Sequence, residues 1–199
     1  EPNCITPEAY QKSLDSVVKT QYFYDHFGSI DSENLISKLK FMATSLECDF
    51  IILDHISIVV SGQKSSGEGE RKDIDLLMTA LRGLVEQTGV GLIAITHLKR
   101  PDGGRKSYNE GGRVTLQDMR GSASLEQLSD NIIAVERDQQ GDNPDQSRIR
   151  LLKNREFGDL GEADLNEFNT TTGRLLPAKE GGGPIIVSGG LDDFDDIPF

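Results

Sequence analysis

Cys48-Asp49-Phe50-Ile51-Ile52-Leu53-Asp54-His55-Ile56-Ser57-Ile58-Val59-Val60-Ser61 is the stretch on which the fold turns. Four large apolar residues, Phe50 to Leu53, run without alternation and stop at an acid. A run apolar on both faces suits a buried strand of a parallel sheet. Upstream, Leu35, Ile36, Leu39, Met42, Ala43 and Leu46 recur at helical spacing, with Asp31 or Ser32 placed to cap them. Downstream, a polar Ser/Gly-rich loop over 61–69 leads to a second helical stripe, Ile74, Leu77, Met78, Leu81, Leu84 and Val85, with Gly89 as its terminal cap. Val90 to Thr96 then repeats the first pattern: a buried apolar strand, ended this time by His97. Helix, strand, helix, strand describes an open parallel α/β sheet. Ligands of such sheets bind beyond the carboxyl ends of the strands, where Asp54 and His97 both fall.

The flanks are less regular. Residues 8–20 read as a short, mostly polar helix, and Tyr22-Phe23-Tyr24 is β-prone. Lys99 to Arg113 carries four glycines and no apolar pattern, which predicts a mobile loop. A short helix is expected over Leu116–Leu128, and strands over Asn131–Val135, Ile149–Lys153 and Ala163–Phe168. The composition changes after Pro177, giving a domain over 1–177 and a flexible, glycine-rich acidic tail over 178–199.

The 199 residues hold 21 basic and 33 acidic side chains, a net charge of −12. No apolar run is long enough to span a membrane. Glu1-Pro2-Asn3-Cys4 has no signal-peptide character, and the two cysteines, Cys4 and Cys48, are too few for a disulfide framework. These features lead to an expectation of a cytoplasmic protein. The acidic total argues against a general nucleic-acid coat but not against a local basic surface.

Candidate chemistry follows. A strand-end carboxylate such as Asp54 can hold Mg²⁺ at a nucleotide's phosphates, or it can simply cap a loop. His97, at the entry of the glycine-rich loop, can touch a terminal phosphate and move the loop when that phosphate leaves, or it can be bonded locally. His55 reads as structural. The loop holds Lys99, Arg100, Arg105, Lys106 and Arg113 against Asp102 and Glu110. Such a reversal of charge fits a phosphate backbone, or an ordinary solvated loop. Lys153 and Arg155, at period two, share a face at a strand end. They can stabilise charge on a transferring phosphoryl group, or protect an edge strand. The phosphate-cradling motif GxxxxGK[ST] occurs nowhere in the 199 residues.

Taken in order, these pieces resemble the DnaB-type hexameric replicative helicases, and within them the primase–helicases of short-tailed bacteriophages. The resemblance runs from about Ser32 to Thr172. It rests on Cys48–Ser61, Glu70–Gly89, His97-Leu98-Lys99-Arg100-Pro101, Asp118-Met119-Arg120-Gly121-Ser122, Glu126-Gln127-Leu128-Ser129-Asp130, Val135-Glu136-Arg137 through Asp142, and Leu152-Lys153-Asn154-Arg155 through Asp159. It implies a RecA-like P-loop NTPase core, incomplete because the Walker A strand and loop, and the glutamate that activates water, would lie upstream of Glu1. The chain is thus expected to be the C-terminal part of a motor that hydrolyses ATP or another NTP with Mg²⁺. It would work as a hexameric homo-oligomeric ring that unwinds DNA while moving 5′ to 3′ along a single strand. Asp54 would be the Walker B carboxylate and metal ligand, and His97 the γ-phosphate sensor. Arg155 would be an arginine finger to the neighbouring subunit, assisted by Lys153. Arg137 and Phe168 would sandwich the nucleotide base. Lys99, Arg100, Arg105, Lys106 and Arg120 would face single-stranded DNA.

The end of the chain, Asp192-Asp193-Phe194-Asp195-Asp196-Ile197-Pro198-Phe199, is similar to the acidic tip of bacterial single-stranded-DNA-binding proteins and to the tails of phage primase–helicases. That likeness implies docking on a replicative DNA polymerase or another replisome protein, with the terminal Phe in an apolar pocket and the acids on a basic rim. Two other readings share these residues: a RecA-like recombinase or regulatory ATPase, and a non-catalytic fragment that recruits replication proteins through its tail.

Overall fold

A computed structural model describes residues 6–24, 32–61, 67–101, 103–119 and 123–178. Thr6 starts the first helix, α1 (Pro7–Val18), by accepting the Ala9 N–H at 3.2 Å. None of its residues is buried, and Tyr10, Leu14 and Val17 lie exposed along it. The β-prone run Tyr22–Tyr24 is not a strand, and Lys38 sits over the Tyr24 ring at 4.6 Å. Helix α2 (Ser32–Thr44) buries Leu35 and Leu39 as the spacing requires, while Leu46 falls in the bend after it. Ser32 is its first helical residue; Asp31, the other proposed cap, lies outside the described residues.

Strand β1 (Phe50–Leu53) pairs in parallel with β2 (Gly91–Ala94), in the register Ile51↔Leu92 and Ile52↔Ile93. Between them run α3 (Ile56–Ser61) and α4 (Gly67–Thr88). Part of the stretch expected as a loop is therefore helical, since α4 starts at Gly67; residues 62–66 are not described. Gly89 closes α4 with φ of 72° and donates its N–H to the Val85 carbonyl at 2.8 Å, the left-handed cap that glycine makes cheaply.

The core lies on one side of this pair of strands. Ile51 of β1 packs with Leu35 and Leu39 of α2, Ile56 and Val59 of α3, and Ile74, Leu77, Met78, Leu81 and Leu84 of α4. The other side is open: Phe50 is 71% and Ile52 67% exposed, and Ile93 is exposed beside them. The continuous apolar run predicted burial on both faces. Helices cover one face only among the described residues, so the second set of side chains meets water.

The expected helix over Leu116–Leu128 is two shorter pieces, a 3₁₀ turn (Leu116–Asp118) and α5 (Ala123–Leu128). The remaining strands, β3 (Asn131–Arg137), β4 (Gln146–Asn154), β5 (Gly161–Asn169) and β6 (Arg174–Pro177), form an antiparallel sheet in the order β3-β4-β5-β6. The parallel pairing read from strand, helix, strand is that of β1 with β2, and the later strands, expected with turns between them, are antiparallel. The links after β3 are too short for the crossover that parallel neighbours need. β2 and β3 do not pair with each other. Between them is a groove of about 870 Å³, whose lining includes Ile93, Ile95, Ile133 and Val135. Among the described residues, no helix is long and apolar enough to cross a membrane.

Candidate functional site

The two strand ends meet as the sequence predicts. Backbone pairing continues past the strands: Ile95 donates its N–H to the Leu53 carbonyl and Ile56 donates to the Ile95 carbonyl, each at 2.9 Å. This sets Asp54 and His55 against the segment that ends in His97. The Asp54–His55 peptide bond is cis, and Asp54 is exposed. The His55 and His97 rings lie 4.1 Å apart between centroids, tilted by 42°. His55, which the sequence reads as structural, is thus a neighbour of the sensor candidate. Its Nδ1 and the Thr96 Oγ1 are buried with no hydrogen-bond partner. No group of three or more His, Cys, Asp or Glu able to hold a metal ion occurs among the described residues. A single exposed carboxylate nonetheless suits Mg²⁺, which keeps most of its waters and is held by one or two carboxylates together with substrate phosphates.

The basic loop is more ordered than its glycines suggest. Lys99 donates its N–H to the Asp118 carbonyl at 2.7 Å and its Nζ to the Gln117 carbonyl at 3.0 Å. Arg105 grips the Asp118 carboxylate with both terminal nitrogens, at 2.6 and 2.9 Å, and also donates to the Arg113 carbonyl. Asp118 in turn accepts the N–H and the hydroxyl of Thr115, both at 2.8 Å. The expected mobile loop is therefore folded back on Asp118, and Arg105, though exposed, is paired with an acid. Lys106 lies 3.6 Å from an Asp138 carboxylate oxygen, and Arg100 is exposed. Arg120, Gly121 and Ser122 are outside the described residues. Charge counting missed Asp118, although its three-residue spacing from Thr115 is that of a capping box.

The Arg105 guanidinium, followed by the Thr115 donors, holds the Asp118 carboxyl far below the usual carboxylate range against the opposing effect of burial. A carboxyl whose pKa is depressed on folding stabilises the fold above its unfolded pKa of about 3.9, and that stability is lost as pH falls toward the folded value. Urea unfolding of wild type and Asp118→Asn should therefore differ most at neutral pH. The gap should narrow progressively below about pH 4. A gap that does not change down to about pH 2 would mean that the charge of Asp118 contributes nothing.

Lys153 and Arg155 converge, though not as a shared strand face. β4 ends at Asn154, and Arg155 occupies the turn beyond it. Lys153 Nζ donates to the carbonyls of Glu126 and Ser129. Arg155 donates to the Gln127 carbonyl and, at 3.0 Å, to an Asp130 carboxylate oxygen. Both cations thus sit on the carbonyl end of α5, where the helix leaves partial negative charge. The edge-strand explanation for this basic cluster is removed, because β4 lies between β3 and β5. Its other arginines have partners of their own: Arg150 bonds Glu136 at 2.6 Å and Arg148 lies 3.6 Å from Glu162.

Arg137 and Phe168 come together around Asp145. Arg137 donates to the Pro144 carbonyl at 2.5 Å and to the Asp145 carboxylate at 3.2 Å, while the Phe168 N–H donates to the Asp145 carbonyl at 2.9 Å. The Phe168 side chain remains accessible. The tail residues Asp192, Asp193, Phe194, Asp195, Asp196, Ile197, Pro198 and Phe199 are outside the described residues.

The chain is 51% identical over 164 residues to the DNA helicase/primase of Enterobacteria phage T3, covering 82% of this chain and 28% of that protein. It is 22% identical over 174 residues to the replicative DNA helicase DnaB of Geobacillus stearothermophilus, covering 83% of this chain and 37% of that protein. It therefore spans about a third of the length of these relatives. A solved DnaB-like replicative helicase superposes with a TM-score of 0.68 at 16% identity, over 86% of this chain and 41% of that one. A second solved structure, an ATPase domain, superposes at 0.61 and 18% identity, over 76% of this chain and 52% of that one. At such identities the superpositions speak for the fold, which is RecA-like. The family described as "DnaB-like helicase C terminal domain" matches residues 6–175, so the chain belongs to the DnaB-like helicase C-terminal domain family.

Proposed function

We propose that this chain forms the C-terminal part of an NTP-driven replicative DNA helicase motor, with nucleotide held between neighbouring subunits of a ring. The observation that carries the reading is that Asp54 and His97 both lie just beyond the ends of two paired parallel strands, with His55, next to Asp54, against the His97 ring, in a chain of this family. Asp54 is the carboxylate for Mg²⁺, which when bound neutralises charge on the nucleotide's phosphates. His97 senses the terminal phosphate and passes its loss to the loop that begins at Lys99. Arg137 and Phe168 hold the base. Arg155, with Lys153, serves the nucleotide of the adjacent subunit. The groove between β2 and β3 supports the same reading, since among the described residues neither strand has a partner on that side and the GxxxxGK[ST] motif is absent from the 199 residues.

The DNA path runs through Lys99, Arg100, Lys106 and Arg120, while Arg105 anchors the loop on Asp118. Each phosphate contact releases counterions, so affinity for single-stranded DNA falls steeply with salt. In the full-length polypeptide, Lys99→Ala combined with Lys106→Ala should weaken single-stranded DNA binding and reduce the slope of log affinity against log salt by about one to two. Unwinding should fall with it. An unchanged slope takes both lysines off the DNA path.

Residues 1–177 are the motor portion and 178–199 a tail that docks on a replicative polymerase or another replisome protein. Phe194, Ile197 and Phe199 supply apolar anchors that an acidic solubilising tail would not need. Deleting Ile197 to Phe199 should abolish binding of the polymerase partner and leave NTP hydrolysis intact. Undiminished affinity after the deletion reduces the tail to a solubilising role. Its place of action is the cytoplasm of a bacterial host.

A further inference from the structure

Asp130 follows α5 and is shared by two arginines from different parts of the fold. Its Oδ2 accepts Arg82 Nη1 from α4 at 2.6 Å, and its Oδ1 accepts Arg155 Nη1 from the turn after β4 at 3.0 Å. The Arg155 backbone N–H also donates to the Asp130 carbonyl at 2.9 Å. Arg82 is tied on its other side to Glu86, one helical turn along α4, at 2.8 Å. A carboxylate has lone pairs enough for both guanidinium groups, and one negative charge keeps two positive ones side by side. The opposite flank of α4 carries Leu77 and Leu81, which pack in the core beneath β1 and β2. The guanidinium of Arg155 is therefore connected through one carboxylate to the helix whose core residues share a cluster with Ile51 of β1, the strand that ends before Asp54.

We propose that Asp130 is the positioning residue for Arg155: it fixes the guanidinium at the carbonyl end of α5, and Arg82 keeps the carboxylate in place when Arg155 turns to a phosphoryl group. Half of the Asp130 side chain is exposed, so the bond to Arg155 is weak enough to exchange. Because Arg82 remains, Asp130 is not left unpaired by that exchange. The inference rests on the assignment of Arg155 to phosphoryl chemistry.

The test uses DNA-stimulated NTP hydrolysis by the full-length polypeptide, with ring assembly followed by sedimentation. Asp130→Asn keeps the shape and removes the charge. It should lower kcat by about ten- to a hundredfold, as misplacement of a reacting group does, with KM unchanged and the ring intact. Asp130→Glu should recover most of the rate. In an Arg155→Ala background, Asp130→Asn should cost nothing further, because the two residues act as one unit. Loss of the same factor in both backgrounds, or full kcat in Asp130→Asn where Arg155→Ala is inactive, overturns the inference. Full kcat in Arg155→Ala itself overturns instead the underlying assignment of Arg155.

Discussion

Arg155→Ala is expected to cost the assembled helicase about 10³–10⁵ in NTP hydrolysis, the range that an arginine supplied to a phosphoryl transfer contributes in other enzymes. The side chain suits that role. It stands in a turn beyond the end of β4, 44% exposed, and most of its bonds go to helix-end carbonyls and a surface carboxylate. Nothing in the core depends on it, so the ring should still assemble and nucleotide should still bind. Steady-state hydrolysis alongside sedimentation separates the two effects. Normal turnover in this variant would remove Arg155 from the chemistry, and a variant that fails to assemble would make it a structural residue. Arg155→Lys should rescue poorly, because an ammonium cannot reproduce the planar, two-pronged donor of a guanidinium.

The largest loss of stability is expected from Glu136→Ala. Glu136 and Arg150 form the most buried ion pair among those described, with side chains 6% and 18% exposed and 2.6 Å between them. The pair also grips the loop. Glu136 accepts the Val114 N–H at 2.8 Å, and Arg150 donates to the Val114 carbonyl at 3.3 Å, so one peptide segment is held from both sides. Removing the carboxylate leaves the half-buried Arg150 guanidinium with the Val114 carbonyl alone and takes the acceptor from the buried Val114 N–H. Breaking one partner of such a pair costs about 3–5 kcal/mol, a large share of the stability of a typical domain. Urea unfolding would read this directly. A shift under about 1 kcal/mol would mean that water reaches Arg150 and replaces its partner. Replacing both residues by well-packed apolar side chains should cost much less than the single change.

Of the core's elements, the two strands and helices α2 and α4 were legible in the sequence because their periods are strong and their ends are marked, whereas the six-residue α3 is too short to show a period. Phe50–Leu53 stops at Asp54, and α4 stops at Gly89 with the positive φ that its position calls for. The later strands were expected with turns between them, but their direction was left unstated, although their spacing decides it. Eight residues or fewer separate β3, β4, β5 and β6 in turn, which permits hairpins and forbids crossovers. The loop was misjudged for a different reason. Composition records that Arg105 is basic, but not that an acid thirteen residues on, Asp118, would take up its charge. Pairing at that distance depends on the folded path of the backbone, which local patterns do not contain. Asp130 was invisible likewise: its partners come from positions 82 and 155, and only the packing of α4 against α5 brings them to one carboxylate. Burial was overestimated at Phe50 and Ile52, since an apolar side chain reports a preference for cover and says nothing of whether cover is present.

The groove between β2 and β3 has a consequence for handling the polypeptide. Two strand edges that have no strand partner among the described residues, beside exposed Ile93, Ile133 and Val135, offer a template to any extended apolar segment that diffuses past. At high concentration the readiest such segment is another copy of the chain, and edge-to-edge pairing of this kind has no geometric stop. Solubility of the chain on its own should therefore be governed by that seam and fall sharply with concentration, even though its net charge of −12 would by itself keep molecules apart.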